Sequence, residues 1–374
     1  MLLLLLACKP DPAATPTSAD SGEDCPGEVV ETETVTNETY NGVASLSFDI
    51  AEGARAFLVT VEAEPNIFVV ELTDPSGEVV YSYEDVYAVT PYEIPSAMAQ
   101  PTANEAQISW PLTADDPAPA AGTWIARVYV LDSTYSPLNF APVSATVFES
   151  RGEEEGYCLS ARVVLSDGIS DDADLVAVIE DAVARWTALY ADQGITLTAT
   201  IEDSNLSSAI TLPASGDSNY ATIDAAAAPE VITVVIGESF SGSADGVLGQ
   251  TGGLPGPLLS TDRAAVGISW LMNAGLDAVF SEDETQMLSE TIAHEVAHYL
   301  GLMHPVQFDE NVNVVAFDAL DDTPWCSDYY DCENDLGDNL MYPFARCWWE
   351  SECDTLVELT GDQATVMRRY AGIR

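Results

Sequence analysis

The sequence predicts an all-β sandwich domain followed by an α+β domain, the latter built on a mixed sheet and a long histidine-bearing helix. Three observations carry that expectation. Through residues 26–150, apolar and polar residues alternate in short runs, the period-two pattern of half-buried strands. Beyond residue 158, strand-like runs are interleaved with segments of helical period. All three histidines of the 374-residue chain fall between positions 294 and 304, at the end of the second of those helical segments and just beyond it.

In the first part, Leu46, Phe48 and Ile50 alternate with Ser47 and Asp49, and Phe57, Val59 and Val61 continue the pattern. The run 67–72 ends at Thr73-Asp74-Pro75-Ser76-Gly77, a turn composition, and 79–83 returns as a strand. Further strands are expected at 106–112, 123–131 and 142–148. Many short strands separated by turn signals point to a β-sandwich over residues 25–158. The second part, 159–374, opens with a strand at 159–165. Ser170 is placed to cap a helix over 171–193, whose Leu175, Ile179, Ala182 and Trp186 share one face and which Gly194 ends. Ile195, Leu197, Ala199 and Ile201 alternate as a strand, and 231–236 and 264–270 read as two more. Three layers, helix, sheet and helix, are expected. Residues 241–257 are glycine-rich and read as a loop on the rim of a cleft; with no lysine and no GK[ST] they are not a phosphate loop.

Residues 284–301 read as a helix, with Ser281 and Glu284 as a capping box. His294 and His298, four apart, project from one face one turn apart, so two neutral imidazoles can chelate one Zn²⁺. In a continued helix, ten residues at about 100° each would carry His304 to another face. Gly301 is placed to stop the helix in a left-handed turn, which lets His304 return as a third ligand. Three protein ligands leave a fourth position open, the pattern of catalytic rather than structural zinc. Glu295, beside the first ligand but pointing elsewhere, suits a general base.

His294-Glu295-Val296-Ala297-His298-Tyr299-Leu300-Gly301-Leu302-Met303-His304 is the pattern HExxHxxGxxH. It resembles the metzincin clan of zinc endopeptidases. Asn339-Leu340-Met341-Tyr342-Pro343 is similar to the clan's Met-turn, which implies Met341 beneath the metal-binding histidines. Asp318-Ala319-Leu320-Asp321-Asp322-Thr323-Pro324 and the ending Leu359-Thr360-Gly361-Asp362-Gln363 resemble pappalysin-like enzymes, whereas Leu340-Met341-Tyr342-Pro343 is closer to matrixins. Pro305, after the third histidine, is a serralysin-like feature. Tyr342 stands one position earlier than the clan's zinc-approaching tyrosine, so it is not assigned as a ligand. The resemblance covers about residues 159–374. It implies a metzincin-like α+β catalytic domain, one catalytic Zn²⁺, and protein or peptide substrates. A softer likeness joins Ala121-Gly122-Thr123-Trp124 to jelly-roll accessory domains beside bacterial peptidases, which leaves residues 25–158 as an accessory module or a pro-domain.

Acidic residues number 62 against 11 basic ones, a formal charge of −51. Such a surface repels phosphate backbones and anionic lipid, which excludes nucleic acid as a partner. The acids of 318–338 read as a solvated loop or as Ca²⁺ ligands, without an EF-hand pattern. Leu5-Leu6-Ala7-Cys8 resembles a bacterial lipobox, with Cys8 the lipidated residue, although no basic segment precedes the apolar run. Residues 1–8 then form a lipoprotein signal, and 9–24, rich in Pro, Ala, Ser and Thr, a tether. Export to the cell surface or outer membrane is expected, with secretion behind a plain signal the alternative; the membrane is met only through the anchor at Cys8, and the chain is expected to be monomeric. Six cysteines remain, Cys25, Cys158, Cys326, Cys332, Cys347 and Cys353, an even number that implies disulfides in an exported chain. Cys25 and Cys158 bracket the first domain and are expected to pair. The last four allow three pairings, and without CxxC spacing they are poor zinc ligands. The alternatives to a peptidase are a catalytically inert surface binding or adhesion lipoprotein that retains its zinc, and a zinc hydrolase of non-peptide amides.

Overall fold

The structure, a computed structural model, describes residues 27–88, 90–95, 105–152, 157–206, 226, 231–240, 246–256, 265–275, 278–345 and 357–371. It is a mixed α/β architecture dominated by sheets. The chain begins with β1 (Gly27–Glu38), β2 (Val43–Ile50), β3 (Ala56–Glu62), β4 (Asn66–Thr73) and β5 (Val79–Ser82). A single helical turn, α1 (Tyr83–Val86), leads to β6 (Tyr92–Ile94), β7 (Glu105–Trp110), β8 (Gly122–Leu131) and β9 (Pro142–Gly152). Two four-stranded antiparallel sheets result, ordered β1-β9-β3-β7 and β2-β8-β4-β5. The alternation read from sequence orients them. In β2, Ala44, Leu46, Phe48 and Ile50 are buried while Ser45, Ser47 and Asp49 are exposed. They share one core with Phe57, Val59 and Val61 of β3 and Trp124, Ala126 and Val128 of β8.

β3 departs from a simple in-and-out pattern, since every residue except Glu62 is buried. Its second face explains this. Ala56 and Leu58 point away from the first core and join Phe148 of β9 in the core of the C-terminal half. The sheet β1-β9-β3-β7 is therefore a middle layer with a core on each face. Alternation of side chains is kept, but alternation of exposure is not.

The C-terminal half starts with β10 (Tyr157–Leu165), α2 (Ala173–Asp192), β11 (Ile195–Asp203), β12 (Ile232–Gly237), β13 (Gly249–Thr251) and β14 (Ala265–Ser269). The sheet order is β11-β10-β12-β14-β13, parallel except for the antiparallel edge strand β13. One turn, α3 (Trp270–Asn273), precedes the long helix α4 (Glu282–Tyr299). Three expectations are corrected. Asp172 caps α2, accepting from the Asp174 and Leu175 amides, because residues 169–171 form a 3₁₀ turn that displaces the start past Ser170. The glycine-rich stretch is not all loop, since it contains β13. Among the described residues the expected helix-sheet-helix order is not seen: α2 and α4 lie side by side on one face, and the Tyr190 hydroxyl donates to the Ala293 carbonyl at 2.9 Å. Among the described residues the other face carries a small cluster of Val164, Val235, Phe240 and Ala265.

After α4 the chain forms the hairpin β15 (Val306–Phe308) and β16 (Val314–Asp318), then α5 (Tyr329–Leu336) and α6 (Gly361–Ala371). The acidic stretch 318–338 is thus partly regular, with Asp328 capping α5. Neither this hairpin nor β6 shows in the sequence pattern. β6, from the N-terminal half, pairs in parallel with β16, and the Ala319 amide donates to the Ile94 carbonyl at 3.1 Å. Arg369 of α6 reaches the other way, donating to the carbonyls of Thr113, Ala114 and Asp116. Cys326 pairs with Cys332. Cys158 is also disulfide-bonded, while Cys8, Cys25, Cys347 and Cys353 lie outside the described residues, as do the signal and tether. No helix among the described residues is long and apolar enough to cross a membrane.

Two predictions follow from these joints. Arg369→Ala removes a guanidinium that satisfies three carbonyls, and should lower unfolding free energy by about 1–3 kcal/mol, read from denaturant midpoints. Asp318 is 2% exposed, with one carboxylate oxygen taken by the Thr323 hydroxyl and the other without a partner among the described residues; burial raises its pKa to about 7. A raised folded pKa means the folded state holds the proton longer, so this group's contribution is full below about pH 4 and is lost as pH rises through about 7. Asp318→Asn should therefore gain stability over the parent at pH 8 and lose that advantage as the pH falls to about 4.

Candidate metal centre

Helix α4 begins where the sequence places it. The Ser281 hydroxyl accepts from the Glu284 amide at 3.2 Å, and the Glu284 carboxylate accepts from the Ser281 amide at 2.6 Å. The helix ends in a left-handed turn at Gly301, φ +95°. The Gly301 amide donates to the His298 carbonyl at 2.8 Å and the Leu302 amide to the Ala297 carbonyl at 3.0 Å, a Schellman closure. The chain doubles back and brings His304 over the helix face that carries His294 and His298.

The three rings converge on their Nε2 atoms, with His304 Nε2 3.2 Å from that of His294 and 3.0 Å from that of His298. His294 Nδ1 lies 2.6 Å from the Leu340 carbonyl and His298 Nδ1 2.6 Å from the Leu302 carbonyl. A carbonyl only accepts, so both Nδ1 atoms carry the proton and both Nε2 atoms present lone pairs. With His304 Nε2 also unprotonated, as a metal ligand must be, lone pairs turned on one another at this range repel unless a cation lies among them. Four tetrahedral ligands at about 2.0–2.1 Å from zinc stand about 3.3 Å apart, close to the spacings seen. The donor set therefore fits Zn²⁺. Burial drives the pKa of all three imidazoles down: His298 well below its ordinary value, with the other two rings adding to the effect, and His304 to about 3, with His294 contributing. Neutral, buried imidazoles are the form a metal needs.

Glu295 is buried beside the triad and stays out of the convergence of nitrogens. Burial raises its pKa to about 7, opposed by a hydrogen bond from Thr251. The Thr251 hydroxyl, on the edge strand, lies 2.8 Å from Glu295 Oε2 and 2.6 Å from the Glu295 carbonyl. Met341 is fully buried in the main core, directly after the Leu340 whose carbonyl binds His294. Its amide donates to Asn339 Oδ1, and the Asn339 and Gln363 side-chain amides bond to each other at 2.9 and 3.2 Å. Tyr342 is not among the converging groups; its ring packs with Phe308 and Phe344, and its buried hydroxyl has no partner among the described residues. Among the described residues, the acids of 318–338 do not gather into a further three-ligand group.

Sequence reasoning missed the groups that orient the histidines and Glu295: the Leu302 and Leu340 carbonyls, Thr251, and the Asn339–Gln363 pair. Asn339 and Gln363 stand inside the segments that drew attention to Met341 and the C-terminal helix, but sequence carries no sign that they touch. Nothing marks Thr251 in its glycine-rich surroundings.

No protein-family profile and no curated protein matches the chain. Among solved structures, it is similar to archaemetzincin from Methanopyrus kandleri over 44% of this chain and 84% of that one, at 14% identity and TM-score 0.27. Metalloproteinase-II from Bacteroides fragilis aligns over 47% of this chain at 13% identity and TM-score 0.25; the chain spans 55% of that protein's length. A family two carbohydrate esterase from Clostridium thermocellum aligns over 73% of this chain and 99% of that one, at 9% identity and TM-score 0.20. Likeness at this level assigns no function, and the donor geometry is what stands.

Asn339→Ala should loosen the Leu340 carbonyl behind His294 and weaken zinc binding by about 10–100-fold, measured by chelator competition on protein whose circular dichroism matches the parent.

Proposed function

We propose that this chain is a zinc-dependent endopeptidase, with His294, His298 and His304 as metal ligands and Glu295 as general base. One observation carries it: three buried imidazoles converge on their Nε2 atoms beside a buried carboxylate that is not one of the converging groups. Zinc bound there supplies a Lewis acid that polarises the scissile carbonyl and acidifies the attacking water. Glu295 takes the proton from that water and passes it to the leaving amine nitrogen. The buried surroundings limit competing solvent and strengthen each polar contact at the reacting centre. An extended peptide can dock along the edge strand Gly249–Thr251, which has a neighbour on one side only among the described residues.

Within this proposal the C-terminal half is a metzincin-like catalytic domain with Met341 as the Met-turn methionine. The two facing sheets of the N-terminal half are a β-sandwich accessory domain. Packing of β3 and β9 into the catalytic core, and pairing of β6 with β16, favour an integral module over a removable pro-domain. The disulfides Cys326–Cys332 and at Cys158 agree with export, and Cys8 is the proposed lipid anchor.

The test compares the parent with Glu295→Ala on casein or a quenched-peptide library, with zinc content measured for both. Both should hold about one zinc, with the variant slower by about 10²–10⁴-fold. Equal cleavage by the two proteins would discard the base; zinc bound without cleavage by the parent would favour the inert binding lipoprotein.

A further inference from the structure

We propose that Thr251 is a positioning residue for Glu295, holding the carboxylate through its hydroxyl in space left open by Gly249. The role rests on the assignment of Glu295 as general base. Strand β13 is short, and its two ends do different things to the same side chain. At Gly249, paired in register with Ile268, the backbone passes directly against the glutamate arm. A Cβ built there would stand 2.6 Å from Glu295 Cγ and 3.0 Å from Ile268 Cδ1 and Thr291 Cγ2. The φ of Gly249 is not among the positive ones, so glycine is needed here for room and not for backbone conformation. Two residues on, Thr251 turns its hydroxyl to Glu295, 2.8 Å from Oε2 and 2.6 Å from the backbone carbonyl.

A hydroxyl has one proton and two lone pairs. Thr251 can therefore donate to the carboxylate, or donate to the carbonyl and accept from a carboxyl. Either way the bond ties the mobile end of Glu295 to a β-branched side chain fixed on a sheet edge. A glutamate free to rotate would spend part of its time out of reach of the attacking water; the strand confines it from below and the hydroxyl fixes its end. The same strand borders the position proposed for substrate, so peptide docking and the placement of the base share one element.

The experiment uses the full chain, zinc-loaded, with Thr251→Val, Thr251→Ser and Gly249→Ala. Thr251→Val keeps the shape and removes the hydroxyl. It should lower kcat by about 10–100-fold with KM within about twofold of the parent and zinc content unchanged, and Thr251→Ser should restore most of the rate. Gly249→Ala should lower kcat in the same way. A second readout is independent of turnover: in protein carrying ¹³C-carboxyl glutamate, the Glu295 resonance is the one lost in Glu295→Gln. It should move in Thr251→Val and Gly249→Ala and stay in Thr251→Ser. A resonance that does not move in Thr251→Val overturns the proposal, as does an unchanged kcat in a parent that depends on Glu295. If Glu295→Gln hydrolyses as fast as the parent while the resonance still moves, the general-base assignment fails and the Thr251–Glu295 tie stands.

Discussion

The reversal of the chain at Gly301 is the constraint on which the metal centre depends. A helix continued through residue 304 would present its third histidine on a different face, and two imidazoles alone make a poor zinc site. The left-handed turn does more than redirect the backbone. Leu302, whose amide closes the turn on Ala297, also offers its carbonyl to His298 Nδ1. One local structure thus returns His304 and fixes the tautomer of His298. A side chain at position 301 would oppose the left-handed conformation and disturb both ligands together.

The triad is held on a further side by residues distant in sequence. His294 is oriented by the Leu340 carbonyl, and the segment carrying Leu340 is fixed by Asn339 and, through it, by Gln363 of the C-terminal helix. That helix is anchored in turn by Arg369 to the loop after β7. A third support comes from β6, whose Ile94 packs with Met303 and Ala316 next to the His304 position. The N-terminal sheets are structurally part of the site's frame. Three buried imidazoles turned on one another are costly without a cation, so metal binding and the stability of this frame should be coupled.

Glu295 shows how burial and one polar neighbour set opposite trends on one group. Desolvation raises its pKa and the Thr251 hydroxyl lowers it. The strand that supplies the hydroxyl can pass so close because Gly249 has no Cβ. Glycine content that reads as a loop is, at this position, a close approach between a sheet edge and a helix.

By itself the sequence determined the three histidines that converge, the capping box at Ser281 and Glu284, the stop at Gly301, and most strands of the N-terminal half. These depend on spacing along one element or on alternation, which are local and periodic. It misplaced the cap of α2 because a 3₁₀ turn after Gly168 shifted the helix start, and it expected three layers because helical period does not say which face of a sheet a helix covers. Strand β3 was recognised, but its burial on both faces was not, since a second core arises only when the C-terminal half packs against it. Strand β6, the Asn339–Gln363 pair and the Thr251–Glu295 contact were decided by tertiary structure alone. Each joins residues 24 to 224 positions apart, and a hydrogen bond between distant residues leaves no period in the chain that makes it.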